Sequence, residues 1–261
     1  MLDSQQIQEI LNLVRQAGEM AYSYCRQPEF RKPQFKKDGS PVTPADLAIS
    51  DFITQGLAAY GYPVVSEEGD LHRDEEGPYF LIDPIDGTKA FVKGESDYVV
   101  LLAFMKEQVP VFGTIANPEE KQLFHAIQNE GAFLNGEKIL RQAPKKPYRA
   151  YSSGFHEVPK GQEIIEYFEI GDILKRGSAL KFCGIAQGMA DFFLRGGPTG
   201  EWDTAAGQIL LQECQCSLLN RKTGEPLTYG KPQRLNSGFI ACHNDLLPKV
   251  QSYIKQQNQK K

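Results

Sequence analysis

The chain is poor in the residues that build soft metal sites and disulfide frameworks. In 261 residues it has five cysteines and four histidines. Cys25, Cys183, Cys214, Cys216 and Cys242 are odd in number and contain no CxxC, so reduced thiols in a cytoplasm fit better than a disulfide framework. Cys214 and Cys216 stand two apart, a spacing open to a redox pair, although a buried structural role is the simpler account. His72, His125, His156 and His243 are nowhere at zinc-ligand spacing. Any metal held here must be held by oxygen, which favours a hard cation such as magnesium, manganese or calcium.

Other absences narrow the field further. No apolar stretch approaches the ~18 residues of a membrane span. The N-terminus, MLDSQQIQEI, lacks a basic segment followed by an apolar one, which predicts a chain that is not exported. The net charge is -4, and the densest basic patches, RKPQFKK (31–37) and PKKPYR (144–149), read as solvated loops rather than a nucleic-acid footprint. There is no internal repeat and no low-complexity segment. With 41% hydrophobic and 24% charged residues, the chain can bury a substantial core as one large domain or two closely packed ones.

The order of elements is partly legible. Residues 3–26 carry Ile7, Ile10, Leu11, Val14, Ala17 and Ala21 at helical spacing, with Asp3 or Ser4 as cap. Thr43-Pro44-Ala45-Asp46 reads as a helix start, with Thr43 as N-cap, Ile49, Phe52, Ile53 and Leu57 facing the core, and Gly61 at the end. VVSEEG (64–69), YFLIDP (79–84), DYVVLLAFM (97–105), VPVFGTIANP (109–118) and KQLFHAIQ (121–128) read as successive strands, with a tight turn at Asn135-Gly136. A second pattern starts near Tyr151. GSALKFCGIAQG (177–188) reads as helix, ADFFLR (190–195) as strand and WDTAAGQILLQEC (202–214) as helix. A hairpin at Thr223-Gly224, a strand GFIAC and a closing helix complete it. Strands followed by helices, twice over, predict an α+β layered architecture with a boundary near residues 145–150.

The chemistry is concentrated where apolar runs meet acids. Residues 80–91, FLIDPIDGTKAF, send a strand directly into Asp83 and, three residues later, Asp86. A carboxylate at the mouth of an apolar sheet is costly unless paired or bound to a metal. Pro84 stiffens the turn between the two acids, and Ile85 can offer its carbonyl. Gly87 permits a close backbone approach, and the N–H groups of Gly87 and Thr88 can receive an anion. The bland alternative is an Asx-type turn. An EF-hand is excluded, because Gly94 stands where its bidentate glutamate is needed. Glu67 and Glu68 end the VVS run in a matching context, Asp203 follows the chain's only tryptophan, and Asp46 lies at the start of its helix.

The set VTPAD, SEE, DPIDGT and EWDTAAG, in this order, resembles the magnesium-dependent, lithium-sensitive phosphatase family of inositol monophosphatase, from roughly Lys36 to Asn236. The resemblance implies an α+β, layered α-β-α-β-α sandwich of the inositol monophosphatase or sugar phosphatase type. Residues 1–147 would form a half carrying most metal ligands, and 148–261 a half carrying Asp203 and the substrate-binding residues. It also implies that Glu67, Asp83, Asp86, Asp203 and the Ile85 carbonyl ligate two or three Mg2+ ions, with Mn2+ as an alternative. Asp46 and Thr88 would orient the attacking water, while Gly87 and Thr88 would hold the phosphate by backbone hydrogen bonds. Paired cations stabilise both attacking and leaving oxygens of an in-line displacement, so no Cys or His nucleophile is required.

Within that family, GSALKFCGIAQG and LRGGPTGEWDTAAG look more like the 3'(2'),5'-bisphosphate nucleotidases (CysQ-type) than like inositol monophosphatases. In inositol-specific members, a glutamate seven positions before the aspartate of the WD pair binds ring hydroxyls; here that position is Gly196. Ser178, Lys181, Arg195 and Asp203 are the expected substrate contacts, the two cations serving a second phosphate. The implied substrate is adenosine 3',5'-bisphosphate, cleaved to AMP and phosphate, with an inositol or sugar-alcohol monophosphatase as the alternative. A nucleotide sensor without turnover and a structural calcium module are further rivals. Two departures stand out: Gln215-Cys216 replaces a glycine pair, and Ala90 replaces a glutamate after the TK of DGTK.

Overall fold

The structure is a computed structural model that describes residues 2–36, 39–69, 77–152 and 162–259. Helix α1 (Ser4–Cys25) starts at Asp3, which accepts from Gln6 N at 2.8 Å while the Gln6 side chain takes the Asp3 N–H at 2.9 Å. This reciprocal cap satisfies two donors that the first turn leaves open. Ile10, Leu11, Val14, Ala17 and Ala21 form its buried face, as their spacing predicts. Strands β1 (Gln34–Phe35) and β2 (Pro41–Val42) make a short antiparallel ribbon. Helix α2 (Pro44–Leu57) has Thr43 as N-cap and Asp46 closing the capping box. It ends at Leu57 rather than at Gly61. The chain tightens into a 3-10 turn over Ala58–Tyr60, and left-handed Gly61, at φ 71°, ends that turn instead.

A seven-stranded sheet follows in simple order: β3 (Val64–Ser66), β4 (Tyr79–Asp86), β5 (Val99–Lys106), β6 (Val109–Asn117), β7 (Gln122–Ile127), β8 (Gly131–Leu134) and β9 (Glu137–Lys138). Only the β3–β4 pair is parallel. The short helix α3 (Thr88–Lys93) bridges β4 and β5. The chain then runs through β10 (Tyr148–Ser152), α4 (Gln162–Phe168), β11 (Ile170–Lys175), α5 (Leu180–Ala186), β12 (Phe192–Leu194) and β13 (Thr199–Gly200). It closes with α6 (Ala205–Gln212), β14 (Cys216–Asn220), β15 (Leu235–Asn236), β16 (Phe239–His243) and α7 (Leu247–Gln259). The second sheet has the order β11-β10-β12-β16-β14, and β13 pairs with β15 apart from it.

Strand β5 shows how the layers arise. Val100, Leu102 and Phe104 point to α1 and α2, packing with Ile10, Val14, Ile49 and Ile53. Val99, Leu101, Ala103 and Met105 point the other way, into a core shared with Phe182, Ile185, Ile209 and Leu210 of α5 and α6 and with Phe193 and Ala241 of the second sheet. The far face of that sheet, Phe192, Leu194, Ile240 and Cys242, is covered by Ile164 and Phe168 of α4 and Val250 and Ile254 of α7. The result is the α-β-α-β-α sandwich, in which inner strands bury both faces and therefore read as unbroken apolar runs. The step from residue 147 to residue 148 falls at the start of β10, and the middle core draws side chains from both sides of that point.

Some elements escaped the sequence reading. Helix α6 begins at Ala205, so Trp202, Asp203 and Thr204 stand in the turn before it. Helix α3 spans six residues, too few to show a period. Strand β11 is a largely exposed edge strand with no apolar alternation. Gly113 on β6 lets α6 lie close: a Cβ there would come within 2.6 Å of Ile209 Cγ2 and 2.9 Å of the Ala206 Cα.

At the Gln215-Cys216 departure the chain turns from α6 into β14. Gln215 adopts φ 56°, the left-handed conformation that a glycine would take without strain. A side chain there costs about 1–2 kcal/mol, against roughly 0.5–1 kcal/mol of extra chain entropy for glycine. Gln215→Gly should therefore raise the unfolding free energy by up to about 1 kcal/mol, read from the urea midpoint; a variant no more stable than wild type would contradict the strain.

Candidate active site

Asp83 and Asp86 are three residues apart, so in a regular strand they would face opposite sides of the sheet. A bulge reverses this. Asp83 pairs with Leu101 and Asp86 with Val99, so β4 fits three steps against two on β5. Phe80, Ile82 and Ile85 consequently share the α1–α2 side, and Asp86 returns to the side of Tyr79, Leu81 and Asp83. Pro84 sits in the bulge, where a missing N–H breaks no regular ladder. The Asx-type turn is also present: Asp83 Oδ1 accepts from Ile85 N at 3.0 Å. Gly87 follows at φ 97°, with space for no side chain: a Cβ would lie 2.5 Å from the Asp97 carbonyl oxygen.

Two further elements bring acids to this point. Glu67 lies just past β3, its N–H bonded to the Ile82 carbonyl at 3.1 Å, so parallel pairing carries it to the end of β4. Asp203 sits in the turn before α6, where Gly200 N at 2.9 Å and the Thr199 hydroxyl both donate to its Oδ2. Glu67, Asp83 and Asp203 each offer a carboxylate oxygen within 4.8 Å of the others, the one such group among the described residues. Asp86 lines the same cleft outside this trio, its Oδ2 accepting from Ala179 N at 2.5 Å.

Electrostatics shows what such crowding means. Burial, then the charges of Glu67, Asp86 and Asp203, hold the Asp83 carboxyl well above its usual range. Burial and Asp203 push Glu67 up to about 8, and the same two causes push Asp86 up to about 7. Lys36 offsets part of this, reaching Glu67 Oε1 at 3.0 Å and Glu68 Oε2 at 2.8 Å. The basic run at 31–37 is thus more than a solvated loop at this position. A cluster of hard oxygen donors, mutually repelling and only partly neutralised, fits a divalent cation.

The expected substrate-side residues surround the same cleft of about 220 Å³, lined by Gly87, Thr88, Ser178, Lys181 and Arg195 as well as the acids. The Thr88 hydroxyl donates to the Ile85 carbonyl at 3.1 Å. Lys181 is buried rather than a surface residue of α5; its Nζ donates to the Ser178 carbonyl at 2.6 Å, and burial lowers its pKa to about 8 against the pull of Asp86. Ser178 sits at φ 46° and accepts from Leu180 N at 3.4 Å. Arg195 donates through Nη2 to the Pro198 carbonyl at 3.3 Å, and its Nε is buried with no partner among the described residues. Gly196 is absent from the cleft wall, whereas Ala90 forms part of it.

Asp46 is buried and is not among the residues that line the cleft. Its Oδ2 accepts from Thr43 N at 2.8 Å and Thr43 Oγ1 at 2.6 Å, and burial pushes its pKa up to about 6 despite those bonds. Three contributors went unread in the sequence. Lys36 was hidden in a basic run, and Thr199 acts four residues before Asp203. Asp97 accepts from Gly177 N and so holds the turn before α5. Cys214 and Cys216 are buried free thiols, pushed by burial up to about 11 and about 12, which suits an inert structural role.

Comparison with known proteins identifies the family and the fold. The model of the inositol monophosphatase family matches residues 3–258. The 3'(2'),5'-bisphosphate nucleotidase CysQ of Aggregatibacter actinomycetemcomitans is 30% identical over 259 residues, covering 90% of this chain and 91% of its own. The crystal structure of CysQ from Bacteroides thetaiotaomicron, 29% identical, superposes with a TM-score of 0.79 over 91% of this chain and 96% of that one. The Thermotoga maritima IMPase, 22% identical, shares the fold at a TM-score of 0.79 over 97% and 99% of the two chains. The five-layer α+β architecture is therefore that of the family. A hydrolase of the phosphatase kind, the chain belongs to the inositol monophosphatase family.

Proposed function

We propose that this chain is a magnesium-dependent phosphatase that removes the 3'-phosphate of 3'-phosphoadenosine 5'-phosphate, leaving AMP and inorganic phosphate. The observation that carries this reading is the convergence of Glu67, Asp83 and Asp203 within 4.8 Å, in a cleft that also presents Lys181 and Arg195. The similarity to a relative named as a 3'(2'),5'-bisphosphate nucleotidase supports the choice of substrate. A cytoplasmic place of action goes with this reading; among the described residues no helix is long and apolar enough to cross a membrane.

In this reading Glu67, Asp83, Asp86, Asp203 and the Ile85 carbonyl hold the cations, two or three in number, with Mn2+ able to stand in for Mg2+. When bound, such cations withdraw charge from the phosphoryl oxygens and make a nearby water more acidic. The chain's own groups do the rest. The Thr88 hydroxyl has its proton committed to the Ile85 carbonyl, so its oxygen is left to accept from the attacking water. Asp46, buried beside these groups, helps Thr88 orient that water. The N–H groups of Gly87 and Thr88 hold the transferring phosphate. Lys181 and Arg195 face the substrate's second phosphate, for which the unpartnered Arg195 Nε is a ready donor. Ser178 contacts the substrate from the same wall. The two halves divide the work, 1–147 supplying most cation ligands and 148–261 supplying Asp203 and the substrate grip.

An inositol or other sugar-alcohol monophosphatase is the second reading, and Gly196 speaks against it by leaving no carboxylate for ring hydroxyls. Phosphate release from 3'-phosphoadenosine 5'-phosphate and from inositol 1-phosphate, compared in Mg2+, separates the two. The nucleotide should be turned over with the higher kcat/KM, and Li+ should inhibit; a preference for inositol phosphate would overturn the assignment.

The carboxyl groups predict a pH dependence of stability. Asp46, Asp86 and Glu67 hold protons in the folded state up to about pH 6, 7 and 8, whereas the unfolded chain loses them near pH 4. Between those limits the folded state binds more protons, so stability falls as pH rises. In EDTA the melting temperature should drop from pH 5 to pH 8. Added Mg2+ should raise it more at pH 8 than at pH 5, and an equal rise at both would contradict a carboxylate site.

A further inference from the structure

Glu201 is a fully buried carboxylate, two residues before Asp203, and the reading above leaves it unused. Its two oxygens are saturated by one loop. Oε2 accepts from Gly230 N at 2.9 Å, and Oε1 accepts from Lys231 N at 3.0 Å and Lys231 Nζ at 2.9 Å. Arg234 adds its guanidinium, Nη1 standing 3.6 Å from Oε2. The backbone follows the same path. Glu201 N donates to the Arg234 carbonyl at 2.8 Å, and Thr199 and Gly200 pair with Asn236 and Leu235. On the helix side, the Glu201 carbonyl accepts from Thr204 N at 3.2 Å, Ala205 N at 3.1 Å and the Thr204 hydroxyl at 3.1 Å.

The network does not end at the loop. Arg234 Nη1 donates to the Tyr79 hydroxyl at 3.2 Å, and its guanidinium carbon lies 5.2 Å from the centre of the Tyr79 ring. Tyr79 is the first residue of β4, the strand that delivers Asp83 four residues later. A line of buried polar contacts therefore joins the segment bearing Asp203 to the strand bearing Asp83. These carboxylates come from distant parts of the chain and repel each other, so something must hold them together before a cation arrives.

We propose that Glu201 is a positioning residue: by locking residues 199–204 to the 228–236 loop, and through Arg234 to Tyr79, it sets the place at which Asp203 meets Asp83 and Glu67. It touches neither substrate nor cation. A partner behind a ligand typically accounts for 10–100-fold in metal affinity, because it fixes where the ligand atom points. The inference rests on the proposed cation site.

The test is Mn2+ affinity of the full chain, measured by calorimetry well below the melting temperature for wild type, Glu201→Gln and Tyr79→Phe. Glu201→Gln should bind Mn2+ about 10–100-fold more weakly. Tyr79→Phe, which removes only the hydroxyl met by Arg234, should shift affinity the same way by less. A role confined to folding would lower the melting temperature of the variants and leave the affinity of the folded protein unchanged. Wild-type affinity in both folded variants would thus overturn the inference while the cation site stands. If Glu201→Gln does not fold, Tyr79→Phe decides alone by the same criterion. Wild-type protein that binds no Mn2+ would remove the cation reading and this inference with it.

Discussion

The structure turns on the repulsion among buried carboxylates. Glu67, Asp83 and Asp203 bring oxygens within 4.8 Å of each other, with Asp86 at their side. No arrangement of this kind arises for the sake of stability, since each carboxylate raises the cost of ionising the next. It is sustained because the rest of the fold over-determines where each one lies. The cluster's unmet demand for positive charge is also what makes it a site.

Three local devices meet that demand for placement. The bulge in β4 turns two acids of opposite parity onto one face. Parallel pairing of β3 with β4 carries Glu67 to the same end of the sheet. The turn before α6 holds Asp203 through Thr199 and Gly200, and the close approach of α6 to β6 over Gly113 keeps that turn near the sheet. Each device is rigid for its own reason: a register change for the bulge, backbone hydrogen bonds for the parallel pair, and side-chain hydrogen bonds with the steric fit at Gly113 for the turn. Lys36 answers the charge of Glu67 and Glu68 from the turn of the short β1–β2 ribbon, and Lys181 and Arg195 answer that of Asp86.

The same cleft also carries charge of the complementary sign. Lys181 is buried and tethered to its own turn, and Arg195 keeps one donor unpaired. A cleft lined by both acids and bases suits a ligand that presents negative charge to a cation and to protein donors.

How much of this was legible depends on whether the cause was local. The DPIDGT run, the capping box at Thr43 and Asp46, and the apolar stripes of α1 and β5 could be read directly, because each is set by neighbours within a few residues. So could the identities of Glu67, Asp83, Asp86 and Asp203 as a set, from motifs whose order matches a family. By contrast, the partners of these acids were decided only in three dimensions. Lys36 looked like part of a solvated run until the ribbon folded it over Glu67, and the burial of Lys181, expected as a substrate contact, came only with the packing of α5. The tie from Glu201 to Tyr79 spans 122 residues of chain and leaves no pattern along it. Sequence by itself determined which side chains are acids and which local turns they sit in, since those follow from covalent neighbours. Tertiary structure decided which charges meet, because Coulomb energy depends on distance through space, and that distance exists only once the layers have packed.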